Sequence, residues 1–378
     1  MNYSMISYIL GWIFNFEAAF MILPGITAII YREKNGLAFL ITMLICLTIG
    51  IPLTRRKRKS KVFHAKEGAV TVALSWLVLS IAGALPFIIS ESIPHPIDAI
   101  FETVSGFTTT GASVLSDVEA LSHCMLIWRS FTHWIGGMGV LVFILCLLPL
   151  TGGYHMNLMK AESPGPSVSK LVPKVQSTAK ILYTIYIILT IVEIIFLLIG
   201  KMPLFDTLCL SFGTAGTGGF GIKNDSIASY STYNQVVITV FMILFGINFN
   251  AYYLLLTKKV MQAAKNEEVR YYLGIIGLAI VAIAINTREM FTSFGSAFQQ
   301  AAFQVGSIIT TTGYATTDFN VWPVFSKTIL VILMFVGACA GSTGGGIKVS
   351  RLLILCKSAR KELQLYLHPN AWSLIHIS

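Results

Sequence analysis

Eight apolar stretches, each about long enough to cross a lipid bilayer as a helix, constrain this 378-residue chain more than any other feature; they lie near 8–30, 37–53, 67–90, 124–150, 179–200, 235–257, 271–287 and 325–347. A transmembrane helix takes roughly 20 apolar residues, so the chain is predicted to be an all-α polytopic membrane protein. Composition agrees: 55% of the residues are hydrophobic and 12% charged, against about 25% charged in soluble domains. That balance excludes a cytosolic enzyme and a nucleic-acid-binding domain, so no nucleic acid partner is expected. Shorter apolar stretches at 96–107, 203–213 and 294–309 are too short to cross and too apolar for water, as re-entrant half-helices are.

Charge sets the expected orientation. With the N-terminus inside, the loops 54–66, 151–180, 258–270 and 348–361 become cytoplasmic and hold 20 of the 27 Lys and Arg, as the positive-inside rule requires. Ten of the 17 acids then face outward: Glu33, Glu91, Asp98, Glu102, Asp117, Glu119, Asp206, Asp225, Glu289 and Asp318. A negative outer mouth concentrates cations. The RRKRKSK cluster at Arg55–Lys61 is read as a topology determinant or lipid-headgroup contact. The six cysteines form no CxxC pair and suggest neither a disulfide framework nor a zinc site. The first apolar run lacks a basic leader and is read as a retained span.

The short stretches repeat. Asp98–Gly111 reads DAIFETVSGFTTTG, Asp206–Gly219 reads DTLCLSFGTAGTGG and Gln300–Gly313 reads QAAFQVGSIITTTG, each between two long apolar runs. The glycines are 108 and 94 positions apart, a self-similarity that marks internal duplication. The predicted organisation is an N-terminal helix pair (1–53), three span, pore-helix, span repeats (54–150, 151–257 and 258–361) and a tail (362–378). A fourth copy at that period would place its glycine roughly 90 to 110 residues beyond Gly313, so the chain reads as lacking its last repeat. Its final SLIHIS, Ser373–Ser378, resembles adapter-derived sequence and is expected to be non-native.

Pro96 and Pro203 mark helix starts, with Asp98 and Asp206 in the first turn, where an acid complements the dipole. The opposite ends, each carrying roughly half a negative charge, then point toward the membrane midplane. Behind them come Thr108, Thr109, Thr110 and Gly111, then Gly216, Thr217, Gly218 and Gly219, then Thr310, Thr311, Thr312 and Gly313. Dehydrating a monovalent ion in a low-dielectric core costs on the order of 20 kcal/mol, and rings of carbonyl oxygens replace the lost water without fixed charge. The repeated turns are read as a cation filter; the competing reading is ordinary loops with threonine caps. A further stretch, Gly341, Ser342, Thr343, Gly344, Gly345, Gly346, Ile347 and Lys348, lacks the Gly-Lys-Ser/Thr of a phosphate loop. It interrupts a span, which is tolerated where backbone lines a cavity; a packing kink with Gly337 and Gly341 at GxxxG spacing is the alternative. Glu17 and Glu193 sit inside spans and are functional candidates by default, and Arg129 and His133, one turn apart, are read as braces for the pore helices.

These residues resemble the Trk/Ktr/HKT superfamily of potassium transporters, most of all its bacterial TrkH-type branch. The resemblance rests on ETVSGFTTTGAS (Glu102–Ser113), WRSFTHWIGGMG (Trp128–Gly139), ITTTGYATTDF (Ile309–Phe319) and GACAGSTGGGIK (Gly337–Lys348). It implies a pseudo-fourfold pore with one filter strand per repeat, centred on Gly111, Gly219 and Gly313, and a gate formed by Gly341–Lys348. Serine in the first-repeat position accompanies sodium preference in plant relatives, so Gly111 implies potassium, held at the filter residues. It also implies potassium uptake or symport in a bacterial inner membrane and no enzymatic activity. A homodimer is implied, with a cytosolic nucleotide-binding regulatory subunit resembling TrkA docked on 151–180 and 258–270. No cofactor is expected in this chain. An ion-coupled solute symporter is the rival reading, though it predicts inverted repeats; a membrane-embedded enzyme would need a cluster of catalytic acids or histidines at one depth.

Overall fold

The computed structural model describes residues 2–55, 65–139 and 175–367. Most of the Arg55–Lys61 cluster, loop residues 151–174 and the tail from residue 368, SLIHIS included, lie outside the described residues. Among the described residues the structure is helical, with one isolated parallel bridge between Val336 and Ile347.

At the N-terminus α1 (Tyr3–Phe20) and α2 (Ile22–Tyr31) follow one another, and α3 (Gly36–Arg55) returns along α1. The two backbones pack closely because small residues face each other: a Cβ on Gly11 would lie 2.7 Å from Cβ of Leu53, and one on Gly50 would lie 2.3 Å from Oδ1 of Asn15. Lipid tails offer no hydrophobic gain for helix association, so such close packing must supply it.

Three units of one plan follow. A long helix, α4 (Ala65–Ile89), leads to the short α5 (Pro96–Phe107) and then α6 (His123–Gly137). Next come α7 (Val175–Ile199), α8 (Leu204–Ala215), α9 (Thr232–Phe245) and α10 (Phe249–Leu256). After the short α11 (Val260–Ala264) the plan recurs as α12 (Glu267–Asn286), α13 (Phe294–Ile309) and α14 (Val324–Phe335), and the polar α15 (Val349–Leu367) completes the described chain. The half-helices begin where their caps dictate: Pro96 fills the first position of α5, Pro203 precedes α8, and Ser293 accepts the Ser296 N–H at 3.2 Å. Three main buried clusters follow the units: the first also takes in the N-terminal helices and Cys209 and Phe212 of α8, and the second takes in Phe303 of α13 and Tyr314.

Two runs that read as continuous spans are broken: in 124–150 and 235–257 the described helices end at Gly137 and Phe245, with residues 140–150 outside the described residues. In 325–347, where the glycine-rich stretch is expected to interrupt the span, the helix ends at Phe335, ahead of that stretch. The chain turns through 91° between α9 and α10, and residues 336–348 form an extended loop. Among the described residues there are five long apolar helices, Tyr3–Tyr31 with its break at Met21, Gly36–Arg55, Lys66–Ile89, Thr178–Ile199 and Glu267–Asn286. Glycines at the breaks make room for neighbours: a Cβ on Gly136 would fall 2.0 Å from the Phe107 carbonyl, and one on Gly246 would fall 2.2 Å from the Tyr272 hydroxyl.

A carboxylate joins the N-terminal hairpin to the first unit. The N-cap of α6, Ser122, makes no side-chain capping bond; Glu33 caps the helix from the α2–α3 turn instead. It accepts the N–H groups of His123 at 2.8 Å and Cys124 at 2.9 Å, and lies 2.9 Å from Nδ1 of His123. Partial burial pushes the Glu33 carboxyl up, but hydrogen bonds from Cys124 and His123 outweigh it and hold the group below its ordinary 4.5. The folded state therefore binds this proton less readily than the unfolded chain, so its stabilisation is complete above 4.5 and is lost as pH falls through the lowered value. We predict that acidification through that range lowers the thermal unfolding temperature of the wild type more steeply than that of Glu33→Gln; parallel curves would refute it.

Candidate functional site

Each half-helix ends in one and the same turn. In the first unit Thr110 N–H donates to the Ser105 carbonyl at 2.9 Å and Thr109 N–H to Gly106 at 3.1 Å. In the second, Gly218 N–H reaches Gly213 at 3.0 Å and Thr217 N–H reaches Thr214 at 2.9 Å; in the third, Thr312 N–H reaches Ser307 at 2.9 Å and Thr311 N–H reaches Ile308 at 3.0 Å. This pair of bonds is the Schellman closure, which wants a left-handed residue and usually takes glycine. Here threonine takes it, at φ 55° (Thr109), 52° (Thr217) and 59° (Thr311). A left-handed β-branched residue is an outlier costing about 1–3 kcal/mol, and it recurs at three matched positions.

Two residues further on, Gly111, Gly219 and Gly313 are also left-handed, at φ 74°, 80° and 88°. Their surroundings order the units in space. A Cβ on Gly111 would lie 1.9 Å from the Gly218 carbonyl oxygen, and one on Gly219 would lie 1.8 Å from that of Thr312. The first turn thus packs backbone to backbone on the second, and the second on the third. At Gly313 a Cβ would meet nothing within 4 Å. At the other end of the row, Thr108 and Thr110 are exposed, whereas Thr217 and Gly218 are buried.

The turns differ in one respect that packing explains. Thr108 and Thr110 share a hydroxyl hydrogen bond at 2.8 Å, and Thr310 and Thr312 share another at 2.8 Å. The second unit has Gly216 and Gly218 at those places because His133 fills the space: a Cβ on Gly216 would fall 2.2 Å from the His133 carbonyl, and one on Gly218 would fall 2.3 Å from its Nδ1. The imidazole stacks on Phe220 with centroids 4.1 Å apart, and Nδ1 accepts the Phe220 N–H at 3.4 Å.

One turn away Arg129 donates from Nε to Oε1 of Glu102 at 2.5 Å and from Nη1 to the Gly221 carbonyl at 2.9 Å, with its guanidinium 3.6 Å above the Phe220 ring. Glu102 also accepts the Ser113 hydroxyl and the Val114 N–H, both at 3.0 Å. This corrects the reading of Glu102 as an outward-facing acid: it is 1% exposed and ties α5, the chain after the first turn and α6 to the chain after the second. Tyr314 does the same between the third and second units, its hydroxyl donating to the carbonyls of Leu210 and Phe220 at 3.2 Å. Of the intramembrane acids, Glu193 lies beside Thr214 of α8, and Glu17 lies beside Gly83, 3.2 Å from where its Cβ would be. Gly83 and Glu193 hold the same ordinal place in the 25-residue helices α4 and α7. A carboxyl therefore stands in the same position behind two half-helices, supplied in the first unit by α1.

The Gly341–Lys348 stretch lies against the third turn. Gly345 N–H donates to the Thr311 hydroxyl at 2.7 Å, and a Cβ on Gly344 would be 3.1 Å from the Thr310 carbonyl. The Lys348 ammonium bonds the carbonyls of Gly344 and Gly345. Ser342 donates to Cys339 at 2.7 Å, Thr343 to Phe245 at 3.3 Å, and Gly341 accepts the Phe249 N–H at 3.0 Å. Gly341 and Gly346 are left-handed, at φ 70° and 71°. The GxxxG packing kink is overturned: Gly337 meets the carbonyl of Gly345 and Cα of Gly346 from its own loop rather than a neighbouring helix.

Helices of membrane-spanning length together with short helices of matched ends define a multi-span membrane protein. The chain belongs to the TrkH family, described as cation transport proteins, whose family model matches residues 35–377. It is 37% identical over 378 residues to the Trk system potassium uptake protein TrkH of Salmonella typhimurium, covering 98% of this chain and 78% of that protein. It is 34% identical to the Trk system potassium uptake protein TrkG of Escherichia coli, over 97% of this chain and 76% of that one. Its fold matches the crystal structure of the potassium transporter TrkH from Vibrio parahaemolyticus with a TM-score of 0.86 at 32% identity, covering 98% of this chain and 78% of that one. The chain is thus an all-helical, multi-span membrane transport protein and not an enzyme.

Proposed function

We propose that this chain takes up potassium through a pore whose filter is formed by Thr108–Gly111, Thr217–Gly219 and Thr311–Gly313. The observation that carries this reading is the stacking of three identically closed turns, with Gly111 set against the Gly218 carbonyl and Gly219 against that of Thr312. Half-helix C-termini aimed at that row supply partial negative charge, and hydroxyl and carbonyl oxygens stand in for the ion's water. The relatives named for potassium uptake support the choice of ion.

The open side of Gly313 and the exposed Thr108 and Thr110 at the other end of the row fit one further turn of the same kind, which would close a pseudo-fourfold ring. The helix pair 1–53 and the repeats 54–150, 151–257 and 258–361 are its parts. The Gly341–Lys348 loop gates it from the inner side, held to the third turn through Thr311. In this reading the N-terminus is cytoplasmic, in a bacterial inner membrane. Exposed Lys258, Lys259 and Lys265 lie on the face that would dock a nucleotide-binding regulatory subunit, and the transporter works as a homodimer.

The test is growth of a potassium-uptake-deficient bacterium at low external potassium on expression of the complete transporter, with rubidium and sodium flux measured in vesicles. Restored growth with rubidium flux well above sodium flux is expected. Solute-dependent flux with no discrimination between the two cations would favour a symporter instead.

A further inference from the structure

At the inner end of the third unit one carboxylate holds three separate segments. Glu268, in the first turn of α12, is only 9% exposed. Its Oε1 accepts the Ala340 N–H at 2.6 Å and the Ser350 N–H at 3.2 Å, and its Oε2 accepts from Nδ2 of Asn248 at 3.2 Å. Ala340 stands just ahead of the Gly341–Lys348 loop, Ser350 in the first turn of α15 just beyond it, and Asn248 in the break between α9 and α10. Both ends of the loop are therefore fastened to one side chain. Asn248 is committed at both ends of its amide, because its Oδ1 also accepts the Asn250 N–H at 2.9 Å. Two backbone bonds run alongside, from Cys339 N–H to the Gly246 carbonyl and from Phe249 N–H to the Gly341 carbonyl, each 3.0 Å.

We propose that Glu268 is a positioning residue for gating: it clasps the two ends of the loop, and through Asn248 the broken span of the second unit, and so sets how much of the population has the loop seated under the third turn. The proposal rests on the reading of this loop as the gate. Bonds from N–H groups to an ionised carboxylate are the strong kind, and three of them converge from segments that must separate if the loop is to leave. A complement to the dipole of α12 alone would need no contact with the loop, whereas two of the three donors belong to its flanks. No motif marks Glu268 for this role; only the fold brings Asn248, Ala340 and Ser350 to it.

The test is rubidium flux into liposomes carrying the complete transporter without any regulatory subunit, comparing wild type, Glu268→Ala, Glu268→Gln and a variant shortened within Ser342–Gly345. Removing the clasp is expected to raise basal flux by roughly 5- to 150-fold, the usual range for a coupling between two sites, with rubidium-over-sodium selectivity unchanged. Glu268→Gln, which keeps one acceptor oxygen and turns a donor toward Asn248, should fall between. A merely structural role predicts the opposite pattern, flux and selectivity falling together with the thermal unfolding temperature. If shortening the loop raises flux while Glu268→Ala does not, the clasp is wrong and the gate stands. If shortening the loop leaves flux unchanged, the gate reading itself fails. Should Glu268→Ala not reach the membrane, a folded Glu268→Gln with wild-type flux overturns the proposal equally.

Discussion

Replacing Gly219 by alanine is expected to reduce potassium uptake by about 1.5–3.5 decades. The new Cβ would lie 1.8 Å from the Thr312 carbonyl oxygen, at a backbone φ of 80°. A left-handed L-residue costs about 1–2 kcal/mol and forced overpacking about 1–3 kcal/mol. At 1.4 kcal/mol per decade, the sum is about 1.5–3.5 decades. The neighbour cannot yield as a side chain would, because it is the backbone of the third turn. Gly111→Ser should behave similarly, with its Cβ 1.9 Å from the Gly218 carbonyl, and should also admit sodium. Gly313→Ala is the informative comparison. In this chain its Cβ meets nothing within 4 Å, so damage in the complete transporter equal to that at Gly219 is the result expected if a fourth turn closes the ring. A mild effect would leave that side open. Gly274→Ala and Gly277→Ala in α12, also with nothing within 4 Å, should leave uptake near wild type. Rubidium uptake in a deficient strain reads all five, and a tolerated Gly219→Ala would remove the basis of the filter assignment.

The second large effect is on folding. Arg129→Met leaves Glu102 buried with its counter-charge gone, and the two side chains are 4% and 0% exposed. Removing one partner of a buried pair costs about 3–5 kcal/mol, so the variant should unfold at a much lower temperature in detergent and reach the membrane in small amounts. Glu102→Ala should be at least as damaging, because it also strands the Ser113 hydroxyl and the Val114 N–H. The double variant Arg129→Met/Glu102→Ala should lose markedly less than the two single losses combined, as residues in direct contact do. The exposed pair Lys357–Glu267 should be nearly silent, as surface pairs are. Additive losses at Arg129 and Glu102 would mean that the pair does not act as a unit.

Some of this architecture can be read from residue order and some cannot. The half-helices are legible because length and caps agree: a dozen apolar residues behind Pro96 or Pro203 can only be short helices in a membrane. The loop at 336–348 is legible from its density of glycine. The breaks after Gly137 and Phe245 are not, because Met138 and Ile247 keep the run apolar and glycine is more frequent in membrane helices than in soluble ones. The left-handed threonines escape notice because threonine is a poor choice for that conformation, and only the closing hydrogen bonds reveal it. Glu102 reads as an outer acid until α6 brings Arg129 against it, a contact across 27 positions of chain. Gly216 and Gly218 in place of threonine have no rationale until His133 is seen in the space they vacate.

That last substitution means the duplicated segments have ceased to be interchangeable modules. A turn from the first or third unit grafted into the second would carry its threonine pair into the imidazole of His133, while the second unit's turn grafted elsewhere would leave a hollow where two hydroxyls had bonded. Each turn belongs to its own coupled set of residues, and any exchange involving the second has to move residues of α6 together with the turn.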